Sequence, residues 1–199
     1  MKNILIIVTL SVLAGCATMT SQQMNKQALY YHSQGVAFET KSEWDAAANA
    51  YREALSVINN YPWSMLGLAN IYLYQEKYDL AIQEYLDIIK TNPSFELIYQ
   101  VHDDLGVVYF HQKKYDLAKA EYQYSITLSP RFAHAYNNLG SLYEIQGDYQ
   151  RALELYHQAQ AIGGDQVTDG NIDRVLKLMN KSGNQSAPAS TSTPVSTQT

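Results

Sequence analysis

The side chains of this sequence that could do chemistry are one cysteine, five histidines and a pair of adjacent aspartates. A single cysteine, Cys16, excludes an intramolecular disulfide. The histidines are scattered. His111 and His134 fall at opposite ends of neighbouring helical segments, so they do not share a metal ion, and His32 and His157 have no obvious partner. His102 occupies a position that the pattern below gives to a core aromatic. All five read as structural or solvated. Asp103-Asp104 has the composition of an acid/base pair, but adjacent helix positions point about 100° apart. The pair reads as a solvated polar patch. There is no glycine-rich loop to cradle a phosphate and no serine nucleophile elbow. The expectation is a chain with no catalytic residues, no metal and no cofactor.

The elements that carry these residues are suggested by composition. The chain has 199 residues, 17 of them Tyr against 4 Phe and 2 Trp, with only 10 Gly and 5 Pro. That balance leans helical and suits one domain with tails. A formal charge of -5 gives no support to a nucleic-acid partner, which needs clustered Lys and Arg.

At the start, Lys2 precedes the apolar run Ile4 to Val12. The run is too short to span about 30 Å of hydrocarbon, which takes roughly 20 helical residues. It reads as the core of a signal peptide, residues 1–15. Leu13-Ala14-Gly15-Cys16 then resembles the lipobox of bacterial lipoproteins. The resemblance implies a diacylglyceryl thioether on Cys16, cleavage before it and acylation of the new amine. Each buried CH₂ adds roughly 0.8 kcal/mol, so three chains make a permanent anchor. In that family an aspartate after the cysteine tends to retain the protein in the inner membrane. Ala17 stands there, which implies the periplasmic face of the outer membrane. The mature chain has 13 basic against 19 acidic residues, a charge of -6.

Residues 16–27 are polar and read as a lipidated tether. A pattern then recurs four times. The fourth copy is Tyr136-x₂-Leu139-Gly140-x₂-Tyr143 followed by Ala152-x₃-Tyr156; the third is His102-x₂-Leu105-Gly106-x₂-Tyr109 with Ala118-x₃-Tyr122. The second is Met65-x₂-Leu68-Ala69-x₂-Tyr72 with Ala81-x₃-Tyr85, and the first Tyr31-x₂-Gln34-Gly35-x₂-Phe38 with Ala47-x₃-Tyr51. The sequence resembles the tetratricopeptide repeat (TPR), whose period is 34 residues. Gln34 to Leu68 and Leu105 to Leu139 are each 34 apart, and Leu68 to Leu105 is 37. The resemblance implies an all-α fold: a right-handed superhelical solenoid of about four helix-turn-helix repeats over 28–166 (28–61, 62–95, 99–132 and 133–166). Each repeat pairs a helix A with a helix B. Gly35, Ala69, Gly106 and Gly140 are small so that helix B can approach helix A, and the Tyr excess becomes core. The 37-residue step predicts a helix A about one turn longer at its start in repeat three.

Stacked repeats leave an apolar face at each end. After Gly163-Gly164, Ile172, Val175, Leu176 and Met179 recur at helical spacing. Residues 167–181 therefore read as a capping helix. Residues 182–199 are rich in Ser, Thr and Pro and read as a disordered tail.

In the TPR family the A helices line a concave groove that takes a partner's peptide or helix. Carried onto this chain, the lining includes Trp63, Leu66, Asn70, Leu73 and Tyr74 in repeat two. Asp103, Val107 and Phe110 follow in repeat three, and Asn137 and Glu144 in repeat four. None is Lys or Arg, which argues against the family's carboxylate clamp for acidic C-termini. An apolar partner segment with basic flanks fits better. The expected function is a membrane-anchored interaction scaffold of the bacterial envelope. The alternative is a lipoprotein that assembles a pilus or secretion complex, similar in layout to type IV pilus pilotins. A sugar-binding or enzyme-associated module is the weaker reading, because no room for a catalytic domain lies beyond the repeats.

Overall fold

The computed structural model describes residues 19–185. The expected signal peptide, Cys16 and the tail from residue 186 lie outside the described residues. Those described form nine α-helices and no strand: α1 (Ser21–Glu39), α2 (Trp44–Val57), α3 (Pro62–Tyr74), α4 (Tyr78–Thr91), α5 (Ile98–His111), α6 (Tyr115–Leu128), α7 (Ala133–Ile145), α8 (Tyr149–Gly163) and α9 (Gln166–Gln185). They fall into two compact units, one ending at Phe95 and one beginning at Glu96. In the first, α1 packs on α2, α3 on α4, and α3 against both α1 and α2. In the second, α5 pairs with α6, α7 with α8, and α9 covers α8.

One local device turns every A helix into its B helix. Ser42, Glu76, Lys113 and Gly147 all adopt left-handed backbone, with φ of 61°, 57°, 58° and 80°. The next amide then reaches back five residues: Glu43 N–H to Phe38 C=O at 3.0 Å, Lys77 to Tyr72 at 2.8 Å, Lys114 to Tyr109 at 2.9 Å and Asp148 to Tyr143 at 2.9 Å. This closes the helix end by the left-handed capping arrangement. The acceptor in each copy is the repeat's A-helix aromatic. Asp45, Asp79 and Asp116 lie in the first turn of the B helices, where carboxylates meet the positive end of the helix dipole.

In three of the four repeats the A and B helices meet where a tyrosine is laid over a glycine; the second has Ala69 at that position. Tyr51, Tyr85, Tyr122 and Tyr156 are fully buried, as are Ala47, Ala81, Ala118 and Ala152. A Cβ on Gly35 would lie 2.4 Å from the Tyr51 ring, one on Gly106 2.6 Å from Tyr122, and one on Gly140 2.7 Å from Tyr156. The small residues thus make room for a ring as well as for a helix. Gly67, which the repeat pattern does not single out, closes the other side of Tyr51; a Cβ there would stand 2.5 Å from it.

Three boundaries differ from expectation. Helix α1 begins at Ser21, so most of the expected tether is helical. Thr20 accepts the Gln23 amide while Gln23 Oε1 accepts the Thr20 amide at 2.8 Å, a reciprocal cap that starts the helix there. The extra residues of the 37-residue step do not lengthen a helix by a turn. Helix α5 has 14 residues against 13 in α3 and α7, and the insertion instead widens the connection 92–97. There Phe95 is buried edge-on against Trp63, ring centroids 5.0 Å apart. Helix α9 runs on to Gln185, past the expected end at 181. Its buried side consists of Thr168, Asn171, Ile172 and Val175 with Met179, while Leu176 is exposed.

Candidate partner-binding surface

Polar side chains of three A helices are engaged by the hydroxyls of the buried tyrosines. Tyr51 donates to Glu39 Oε2 at 2.8 Å, Tyr85 to Asn70 Oδ1 at 2.6 Å, and Tyr156 to Glu144 Oε2 at 2.8 Å. A buried ring needs a partner for its hydroxyl, and in these three repeats the A helix supplies one: four residues past the glycine for Glu39 and Glu144, and directly after Ala69 for Asn70. Burial and the neighbouring carboxylate push Tyr156 up to about 12. Tyr122 is shifted upward by burial and by the charges of Asp103 and Asp104.

Several positions assigned to the groove are therefore internal. In the first unit Leu66 is only 5 % exposed and offers no surface to a partner. Asn70 is engaged by Tyr85, and Trp63 is half-buried against Phe95. Leu73 is half-buried. Tyr74 is 65 % exposed and packs tilted against Trp44, with ring centroids 4.2 Å apart. Leu29 and Val36 of α1 are exposed as well.

In the second unit Asp103 is 3 % exposed, which corrects its place on the surface. Both its oxygens accept from Asn138 Nδ2, at 3.1 and 3.0 Å. Asp103-Asp104 is not a solvated patch. Burial pushes Asp103 up to about 6. Burial and the charge of Asp103 push Asp104 up to about 7, and Asp104 Oδ2 has no hydrogen-bond partner among the described residues. A-helix position 103 faces α7 rather than solvent, which the repeat pattern does not reveal because polar side chains are rarely buried there. Val107 and Phe110 are half-buried against the cluster of Ala118, Tyr122, Leu139 and Leu142. Asn137 donates to Thr168 of α9 at 2.7 Å.

Glu144 is gripped by a residue outside the repeats. Arg174 of α9 donates to it from Nε at 2.6 Å and Nη2 at 2.8 Å. Arg174 holds the Glu144 carboxyl below the usual carboxylate range. No Lys or Arg occurs at the expected lining positions, yet the capping helix brings one to them. The exposed apolar Ile145 adjoins this ion pair in sequence.

The histidines have more partners than their spacing suggested. His102 is buried, as expected for a core aromatic position, and its Nδ1 lies 2.7 Å from Glu121 Oε2. His32 Nδ1 lies 3.2 Å from Ser64 Oγ, with its ring near Tyr51 and Tyr61, and burial lowers its pKa. His157 Nδ1 lies 3.4 Å from Gln160 Oε1 on the surface. Among the described residues no three His, Cys, Asp or Glu side chains converge as metal ligands. None of the described helices is long and apolar enough to cross a membrane.

Paired helices closed by left-handed turns, with a buried tyrosine in each pair that is seated on a glycine in three of them, define a helical-repeat protein. Residues 66–130 and 104–167 match the model of the tetratricopeptide repeat, together just over half of the chain. The chain belongs to the tetratricopeptide-repeat family, whose repeats are protein-interaction modules. No curated protein matches it. Solved structures share its fold. The crystal structure of MamA protein is 22 % identical with a TM-score of 0.61, covering 81 % of this chain and 92 % of that one. Pseudomonas aeruginosa PilF is 17 % identical with a TM-score of 0.70, covering 79 % and 71 %. Cut9, in the APC/C hetero-tetramer Cut9–Hcn1, is 16 % identical with a TM-score of 0.69, covering 75 % of this chain and 30 % of that one.

Proposed function

We propose that the chain is a lipid-anchored adaptor of the bacterial envelope, held by Cys16 to the periplasmic face of the outer membrane. It binds a protein segment on the A-helix sides of its repeats and catalyses no reaction. The observation that carries this reading is the exposed Tyr74, packed against Trp44 in a family built for protein interaction. An aromatic pair prepaid in its geometry makes a rigid anchor, and few such anchors dominate an interface. Leu73 and the exposed Leu29 and Val36 extend the apolar character in the first unit; Val107, Phe110 and Ile145 do so in the second.

The acidic mature chain favours a partner whose apolar segment is flanked by Lys or Arg, with association faster at low salt. The signal-peptide pattern and Leu13-Ala14-Gly15-Cys16 support the anchor. Two measurements test the reading. Metabolic labelling with a fatty-acid analogue should mark the wild type and not Cys16→Ser; equal labelling sinks the anchor. Capture on the lipidated chain should recover an envelope protein, and Tyr74→Ala should lose it. A pilus or secretion subunit among the captured proteins would assign the pathway, as would a cell-wall hydrolase.

A further inference from the structure

We infer that the outward face of α1 rests on the bilayer surface, so that the first repeat is docked on the membrane rather than hung from a flexible leash. This deepens the proposed anchoring at Cys16 and rests on it. The leash is short: helix α1 starts at Ser21, and five residue steps from Cys16 reach at most about 17 Å even when extended. The helix is therefore confined near the headgroups by the acyl chains themselves.

The face that α2 leaves uncovered has the chemistry of a membrane interface. Ala28 and Gly35 mark the buried side of α1. On the other side Met19 and Tyr30 are exposed, Tyr30 at 58 %. Lys26, Tyr30 and Ser33, at i, i+4 and i+7, share one stripe. Met19, Gln23, Lys26 and Tyr30, with Gln27 and Tyr31, line one shallow depression. Tyrosines are interface residues, with an apolar ring and a wet hydroxyl, and a lysine can lay its stem on acyl chains with its ammonium among phosphates.

Charge points the same way. From Ala17 to Phe38 the only Lys, Arg, Asp or Glu is Lys26, in a mature chain that is otherwise acidic. An anionic lipid surface would repel most of this protein and would attract this stretch.

The test uses the full lipidated chain in vesicles of phosphatidylethanolamine and phosphatidylglycerol. Lipid occupies the native cysteine, so Ser33→Cys on α1 and Glu53→Cys on the exposed side of α2 each offer a single thiol for a solvent-sensitive dye. Headgroup-nitroxide lipid should quench the dye at position 33 several-fold more than at position 53. Lys26→Glu combined with Tyr30→Ser should remove the difference while the protein still floats with the vesicles. Equal quenching in a floating protein overturns the docking and leaves the anchor standing. Cross-linked dimers through the introduced thiol at 33, without quenching, put a second copy on this face and overturn it also. A protein that carries no lipid and does not float overturns both.

Discussion

Arg174 of α9 closes a two-point grip on Glu144 of α7, 2.6 and 2.8 Å long, and so ties the terminal helix to the repeat beneath it. The carboxylate is well covered and the guanidinium half exposed, so solvent screens part of the attraction. Arg174→Met should lower unfolding stability by about 1 kcal/mol. The loss should shrink at acid pH. Glu144 has a depressed pKa, so its contribution is present above the unfolded value and disappears as pH falls through the folded one. Urea melts of both proteins at neutral pH and in acid check this.

The buried pair works in the opposite direction. Asp103 and Asp104 sit at about 6 and about 7, above their unfolded values near 4. Between about pH 4 and 7 the folded chain holds protons that the unfolded chain releases, so stability rises as pH falls through that window. The facing groups are Gln100 on α5, Tyr122 on α6, and His134 and Asn138 on α7. Moving from pH 8 to pH 5 should stabilise the wild type on the order of 2 kcal/mol. Asp104→Asn should flatten that dependence. A wild type that loses stability over the same range contradicts the assignment.

Gly106 has no space for a side chain. Its added Cβ meets the Tyr122 ring at 2.6 Å and the Ala118 carbonyl at 3.3 Å. The ring is itself fully buried and cannot step aside cheaply. Gly106→Leu should cost at least about 1–3 kcal/mol, the usual range for overpacking. Thermal melts give the answer, and an unchanged midpoint would mean that α5 and α6 meet elsewhere.

The spacing of Gly35, Gly106 and Gly140 against Tyr51, Tyr122 and Tyr156 made the helical hairpins legible, because small residues and rings must alternate where helices touch. The surface was less so. Periodicity places Asp103 and Leu66 on an A helix without saying how far the neighbouring helices reach over them. Burial of an acid pair runs against the general preference of carboxylates for water, and its sign, Asn138, lies 35 positions away. The Glu144–Arg174 pair was hidden for the same reason: it joins a repeat to a helix outside the repeats. The connection 92–97 shows a different limit, since a three-residue insertion fits a longer helix or a wider loop equally well until Phe95 finds Trp63.

The left-handed turns offer a controlled comparison. A side chain in that conformation costs roughly 1–2 kcal/mol, and Lys113 and Glu76 bear it where the fourth repeat has Gly147. Nothing lies within 4 Å of a Cβ built on Gly147, so Gly147→Ala tests the backbone conformation without a steric clash. It should destabilise by about 1 kcal/mol, and Lys113→Gly should stabilise by about 0.5–1 kcal/mol once the greater freedom of the unfolded glycine is counted. Chemical denaturation of the two variants should move in opposite directions.

Capture of a protein partner on the A-helix side of the repeats is tested most directly by photocrosslinking in living cells. A photoreactive phenylalanine replaces exposed Tyr74 on α3 in one strain and exposed Leu80 on α4 in another. Position 74 should give a discrete crosslinked protein, weakened when Trp44→Ala removes the ring beside it, and position 80 should give none. A crosslink from position 80 with none from position 74 would contradict it and place the partner on the B helices.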